Sequence, residues 1–109
     1  MTTTAPGILG QNKPSAGVDT NLFTVATGTQ VQFNMFVCNQ NNTQDQFTIS
    51  LIPYTGIENS STYIAYNTPV IANGIVSIGG LFLNSGDQVR VSSVGGNTSF
   101  TATGLVITN

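Results

Sequence analysis

The chain has 109 residues, of which 39% are hydrophobic and only 6% charged, with a net charge of −2 and a pI near 4.2. Its two basic residues, Lys13 and Arg90, cannot supply the several phosphate contacts that a nucleic-acid backbone demands, nor grip an anionic membrane. No run is long and apolar enough to span a bilayer, so neither nucleic acid nor membrane is an expected partner.

The length reads as one domain with a real but thin core, whose stability is expected to lean on association. Asn, Gln, Ser and Thr, roughly two residues in five, supply the polarity that charge provides at about 25% in typical soluble chains. Such a surface hydrogen-bonds to neighbours without repelling them.

Residues 1–21 are rich in Thr, Gly, Pro, Ser and Asn, and Pro6, Gly7, Gly10, Pro14 and Gly17 break any helical register. The segment reads as an extended arm, either disordered or docked on a neighbour by Ile8 and Leu9, ahead of a sandwich domain at 22–109. The opening "MTTTAPGILG" has no basic n-region and no continuous apolar h-region, so it does not read as a secretory signal.

From Leu22 the chain reads as strand after strand. "NLFTVATGTQ" is a short strand closed by a Thr-Gly turn. In "VQFNMFVCN" Val31, Phe33, Met35 and Val37 face one way, and Gln32, Asn34, Phe36 and Cys38 the other. "FTISLIPY" alternates through Phe47, Ile49 and Leu51 until Pro53 ends it. "TYIAYNTPV" is a strand up to Pro69, "IVSIGGLFL" follows an "ANG" turn, and "QVRVSS" leaves the polar corner Asn84-Ser85-Gly86-Asp87. "VGGN" then turns into "TSFTATGLVITN". The glycine pairs in "IGGLF" and "VGGN" read as bulge or turn residues, not phosphate cradles. No window carries a helical stripe. The expected fold is all-β: one sandwich, immunoglobulin-like or jelly-roll, of about seven to nine short antiparallel strands, with neither an internal repeat nor a second domain.

Chemistry is sparse. The chain has no His, the commonest general base and metal ligand. Its four acids, Asp19, Asp45, Glu58 and Asp87, fall in different loops with no spacing that marks a pair. "NQNNTQD" offers oxygens but a single acid, too few for a calcium site. Cys38, the lone cysteine, is expected as a small buried hydrophobe. The Asn-x-Ser/Thr triplets at Asn41, Asn59 and Asn97 are expected by chance in this composition. Tyr54, Tyr63 and Tyr66 fit core edges or subunit interfaces, with a carbohydrate surface as the sharper alternative. Asp87 is expected to close its turn by accepting backbone amides. Arg90 is expected to pair with Asp87, with Asp45 or Glu58 across a sheet, or with another subunit. No catalytic, cofactor-binding or metal-binding residue is expected.

The stretches "GILGQNKPSAGVDTNLFTVATGTQVQFNMFVCNQNNTQDQFTISLIPY", "YIAYNTPVIANG", "LFLNSGDQVRVSS" and "SFTATGLVI" are spread over nearly the whole chain. Through them it resembles a group of small virion structural proteins of tailed bacteriophages, many from phages of cyanobacteria and other aquatic bacteria. The shared pattern is a Gly-Gln-x-x-Pro arm, "LFTV", "VCNQ", "YIAYxTPI" (with Val70 at its last position here) and "LxxGDxVxV". The resemblance implies a β-sandwich without enzymatic activity, located in the virion. The last of these elements is also similar to the closing strands of trimeric jelly rolls of the tumour-necrosis-factor and complement kind, which keeps a trimer open.

The leading expectation is a capsid decoration, or cement, protein on the outer surface of the mature head, bridging major capsid proteins. The arm residues Ile8, Leu9, Gln11, Lys13 and Pro14 would form its interface, so that deleting residues 1–17 would leave a folded domain unable to hold the shell. The alternatives are a homo-oligomeric neck, tail-fibre, spike or collar component, and a glycan-binding module with the tyrosines as its platform.

Overall fold

Apolar and polar residues that alternate at period two give each strand one face to bury and one to leave in water. The computed structural model describes residues 3–108; residues 1, 2 and 109 lie outside. It contains eight strands: β1 (Thr3–Asn12), β2 (Thr20–Thr24), β3 (Thr29–Asn39), β4 (Asp45–Ile52), β5 (Tyr63–Val70), β6 (Ile75–Leu83), β7 (Gln88–Ser93) and β8 (Thr98–Thr108). They form two antiparallel sheets, ordered β1-β8-β3-β6 and β2-β7-β4-β5.

The pairs β1–β8, β2–β7, β3–β6 and β4–β5 are those of one long hairpin bent at β4–β5. Winding that hairpin also brings β3 to β8 and β4 to β7. This is the jelly roll. An immunoglobulin sandwich would instead set its first two strands side by side, whereas here β1 and β2 lie in different sheets.

The inward faces close on Phe33, Met35, Val37, Phe47, Ile49, Val89, Val91 and Phe100, all at most 1% exposed. Phe47 meets Phe100 edge-on at 6.1 Å, and Phe23 meets Phe33 at 5.3 Å. At the centre of the first sheet, β8 passes β3 so closely that a Cβ on Gly104 would stand 2.0 Å from the Gln32 carbonyl oxygen. Backbone on that side cannot yield as a side chain would. The pair Gly79-Gly80 sits in a bulge of β6 opposite Asn34, whose Oδ1 accepts the Gly80 amide at 3.2 Å.

Residues 3–21 do not stand apart as an arm. Thr3–Asn12 is an edge strand paired with β8 from Thr3–Thr108 to Asn12–Phe100, and residues 20–24 form β2. The composition that forbids a helix does not forbid pairing, and only an edge strand accommodates Pro6, which has no amide to donate. A bulge between Ile8 and Gly10 turns Leu9 onto the protein's own core, and Pro14 is buried as well. Of the expected arm interface, Ile8 (62% exposed), Gln11 and Lys13 face outward, while Leu9 and Pro14 are already used. Removing residues 1–17 therefore strips a sheet edge instead of trimming a tether. Cys38 likewise departs from expectation: it lies half-buried on the outer face of β3, where the alternation puts it.

One end of the sandwich is tied by two buried polar side chains. Asn39, at the end of β3, donates from its amide nitrogen to the carbonyls of Thr43, Val70 and Ile71. Asp45, at the start of β4, is only 5% exposed. Its carboxylate accepts Ser93 Oγ at 2.6 Å, Thr98 Oγ1 at 2.7 Å, and the amides of Gly95 and Gln46 at 2.8 Å. Burial pushes the carboxyl up, but these four donors outweigh it and hold its pKa down at about 2.

Asp45→Asn is expected to destabilise the fold by about 2 kcal/mol at neutral pH, measured from urea midpoints. The wild-type advantage is full above pH about 4 and is lost as pH falls through about 2, so the two proteins converge in acid. Gly104→Ala is expected to lose about 1–3 kcal/mol by the same assay, because the new methyl meets backbone.

Candidate functional site

The outer face of the β2-β7-β4-β5 sheet gathers the chain's scarce chemistry. Thr48 and Ser50 point outward from β4, and Arg90 and Ser92 from β7, since Val89, Val91, Phe47 and Ile49 take the inward positions. Residues 53–62 fold back over this face. They are pinned by the Thr62 carbonyl accepting the Leu51 amide at 2.9 Å and by the buried Ser50–Thr62 hydroxyl pair at 2.7 Å. That return places Glu58 above the sheet. From the other side, the segment before β2 brings Asp19, whose carboxylate pairs with Arg90 Nε at 2.9 Å. The Asp19 carbonyl also accepts Arg90 Nη2 at 3.3 Å.

Three of the chain's six charged residues thus meet at one place. Burial raises the pKa of Glu58, and the neighbouring Asp19 carboxylate raises it further; Ser50 and Arg90 act against both. The fold has assembled a carboxylate pair that no spacing revealed. Of the pair, Asp19 is engaged by the Arg90 guanidinium, and Glu58 is the member whose carboxyl is pushed up. The ion pair is partly exposed, with the side chains 29% and 43% accessible, so its own contribution to stability is about 0–1 kcal/mol.

Two tyrosines flank the cluster. Tyr63 and Tyr66 stand three apart, and in a regular strand they would face opposite ways. In β5 an extra residue, Ile64, is inserted between the partners of Ser50 and Ile49, and a second irregularity sets Tyr66 and Asn67 opposite Thr48 alone. The first bulge returns Tyr66 to the face of Tyr63, and their ring centroids lie 4.8 Å apart at 55°. Asn67 holds φ +45°, with its amide donating to Thr48 Oγ1 at 3.1 Å. Between these residues opens a groove of about 290 Å³, lined by Asp19, Glu58, Tyr63, Tyr66, Asn67 and Ser92 among others.

Asp87 closes its turn as expected, with Oδ2 accepting the Asn84 amide at 2.9 Å; its Oδ1 also accepts the Tyr54 amide at 2.8 Å. It does not pair with Arg90, because positions three apart along this strand point to opposite sides. Arg90's partner is Asp19, which none of the sequence-level pairings included. The Asp45 oxygens are filled by hydrogen-bond donors, and the described residues hold no cluster of three metal-ligating side chains. Tyr54 lies away from the groove, 69% exposed above Gly86.

The other sheet presents an opposite surface. Its four strands contain no charged residue at all. Its outer face shows Ile8, Phe36, Ile75, Phe82 and Leu105, exposed by 36–76%, among Thr, Gln and Asn. No family model matches the chain, and no curated protein matches it.

Asp19→Asn is expected to lower the pKa of Glu58 and Arg90→Gln to raise it, followed by carboxyl carbon NMR through a pH titration. Because the Glu58 pKa is raised in the folded state, its contribution to stability is lost as pH rises through that value. Asp19→Asn should shift this loss to lower pH.

Proposed function

We propose that this protein is a structural component of a tailed-bacteriophage virion, acting as a capsid decoration protein that bridges major capsid proteins on the outer face of the mature head. The observation that carries the reading is the charge-free outer face of the β1-β8-β3-β6 sheet. Five large apolar side chains stand exposed on it without a charge to oppose their burial. Four strands spaced at ~4.8 Å and about ten residues long span roughly 650 Å², near the ~800 Å² per partner of a standard stable interface. The jelly roll, an architecture found among viral capsid domains, and the resemblance in the "LFTV", "VCNQ" and "YIAYNTP" stretches point the same way.

The mechanism is linkage. A domain that binds the assembled lattice, and not its separated subunits, stabilises the lattice by mass action. Contact through a whole sheet face replaces the arm-led contact expected from residues 1–21, since β1 supplies Ile8 to that face as part of the sheet.

Quantitative mass spectrometry of purified virions, normalised to the major capsid protein, tests the placement. Copies in the hundreds support the head lattice. A few to a few dozen move the protein to neck, tail or fibre, and absence from the particle rejects both. Phe82→Asp, at a 67% exposed position, is expected to leave the melting temperature within a few degrees of wild type and to weaken particle binding at least about tenfold.

A further inference from the structure

The groove on the opposite sheet is left unused by this reading, and its parts are specific. We propose that it binds an uncharged saccharide, with one sugar ring stacked on Tyr66 and its hydroxyls bonded to Glu58, Asn67 and Ser92. Tyr66 is 63% exposed and shares its face with Tyr63, an arrangement that regular alternation forbids and the bulge at Ile64 creates. A sugar ring has an apolar face of C–H groups with slight positive character, which suits the negative face of a tyrosine ring. Its edge carries hydroxyls that need acceptors and donors together, and the groove provides a carboxyl, an amide and a hydroxyl beside the platform.

The charge pattern chooses among ligands. An anionic sugar would meet the Asp19 and Glu58 carboxylates of the lining, while Arg90, paired with Asp19, does not line the groove to offset them. A neutral ring offends none of them. A peptide added as an extra strand is disfavoured, because two irregularities interrupt the backbone ladder of β5, the sheet's outermost strand on that side. The volume of about 290 Å³ lies at the small end of ligand sites, enough for a single ring with the rest of a chain in solvent.

The test is an NMR titration of the ¹⁵N-labelled full chain with neutral oligomers of glucose, galactose, mannose and N-acetylglucosamine, and with galacturonate oligomers. The expected result is saturable binding of at least one neutral sugar with Kd on the order of 1 mM, its shifts confined to residues 58, 63–67 and 90–92. Tyr66→Ala should weaken it about tenfold or more, and Ser92→Leu, which fills the groove from β7, should abolish it. Tyr54→Ala, an equally exposed tyrosine elsewhere, should bind like wild type. The proposal is overturned if no neutral sugar gives a saturable shift at tens of Kd. It is equally overturned by a Tyr66→Ala variant of unchanged affinity, or by tighter binding of galacturonate than of any neutral oligomer. None of these outcomes bears on copies per virion, so the proposal and the virion reading fail separately.

Discussion

The Asp45 carboxylate is the constraint on which the sandwich turns. A charge buried to 5% exposure is tolerable only when its oxygens are filled, and here four donors fill them. Three of those donors come from the end of β7, the start of β8 and the turn between them, and the fourth is the adjacent Gln46 amide of β4. β7 belongs to one sheet and β8 to the other, so the carboxylate marks the point where the chain crosses from layer to layer. Asn39 does related work nearby, binding the end of β3 to the carbonyls between β5 and β6. The Gln40 amide adds a bond to the Asn97 carbonyl at 2.9 Å. One end of the molecule is thus closed by polar contacts instead of apolar bulk, a sound arrangement for a small chain with a thin core.

The same scarcity of charge separates the two outer faces. Sheet β1-β8-β3-β6 has none, and its exposed Ile, Phe and Leu side chains suit broad contact with another protein. Sheet β2-β7-β4-β5 holds Arg90, with Asp19 and Glu58 laid over it by the neighbouring loops. A protein of six charges that gathers three of them at one place, two lining the groove, has made that groove electrostatically distinct from the surface around it.

Much of the fold was legible in the chain. The strict alternation of Val31, Phe33, Met35 and Val37 declared β3 and its buried face, and Pro53 stops β4 as anticipated. The number of strands followed from turn residues at regular spacing. The pairing of β1 was not legible, because a Thr- and Gly-rich segment looks the same whether free or laid on an edge. Its one informative residue is Leu9, and only the bulge beside Ile8 shows that Leu9 faces home. The site was less legible still. Arg90 and Asp19 are distant in sequence and meet only because β2 lies beside β7. Tyr63 and Tyr66 share a face only because of an inserted residue, and no period-two reading anticipates that. The single available hint was the "YIAYNTP" stretch itself, where tyrosines at the wrong spacing for one face sit just before an Asn that tolerates positive φ.

The pairing of Thr3 with Thr108 has a mechanical consequence. The described ends of the chain are direct neighbours on adjacent antiparallel strands. A force pulling them apart would peel β1 from β8 one hydrogen bond at a time, as a zipper opens. Such loading meets low resistance, whatever the depth of the core. Load entering through the broad sheet face is shared among many contacts that must give way together. A jelly roll built this way is poorly suited to be a link in a chain and well suited to be a tile.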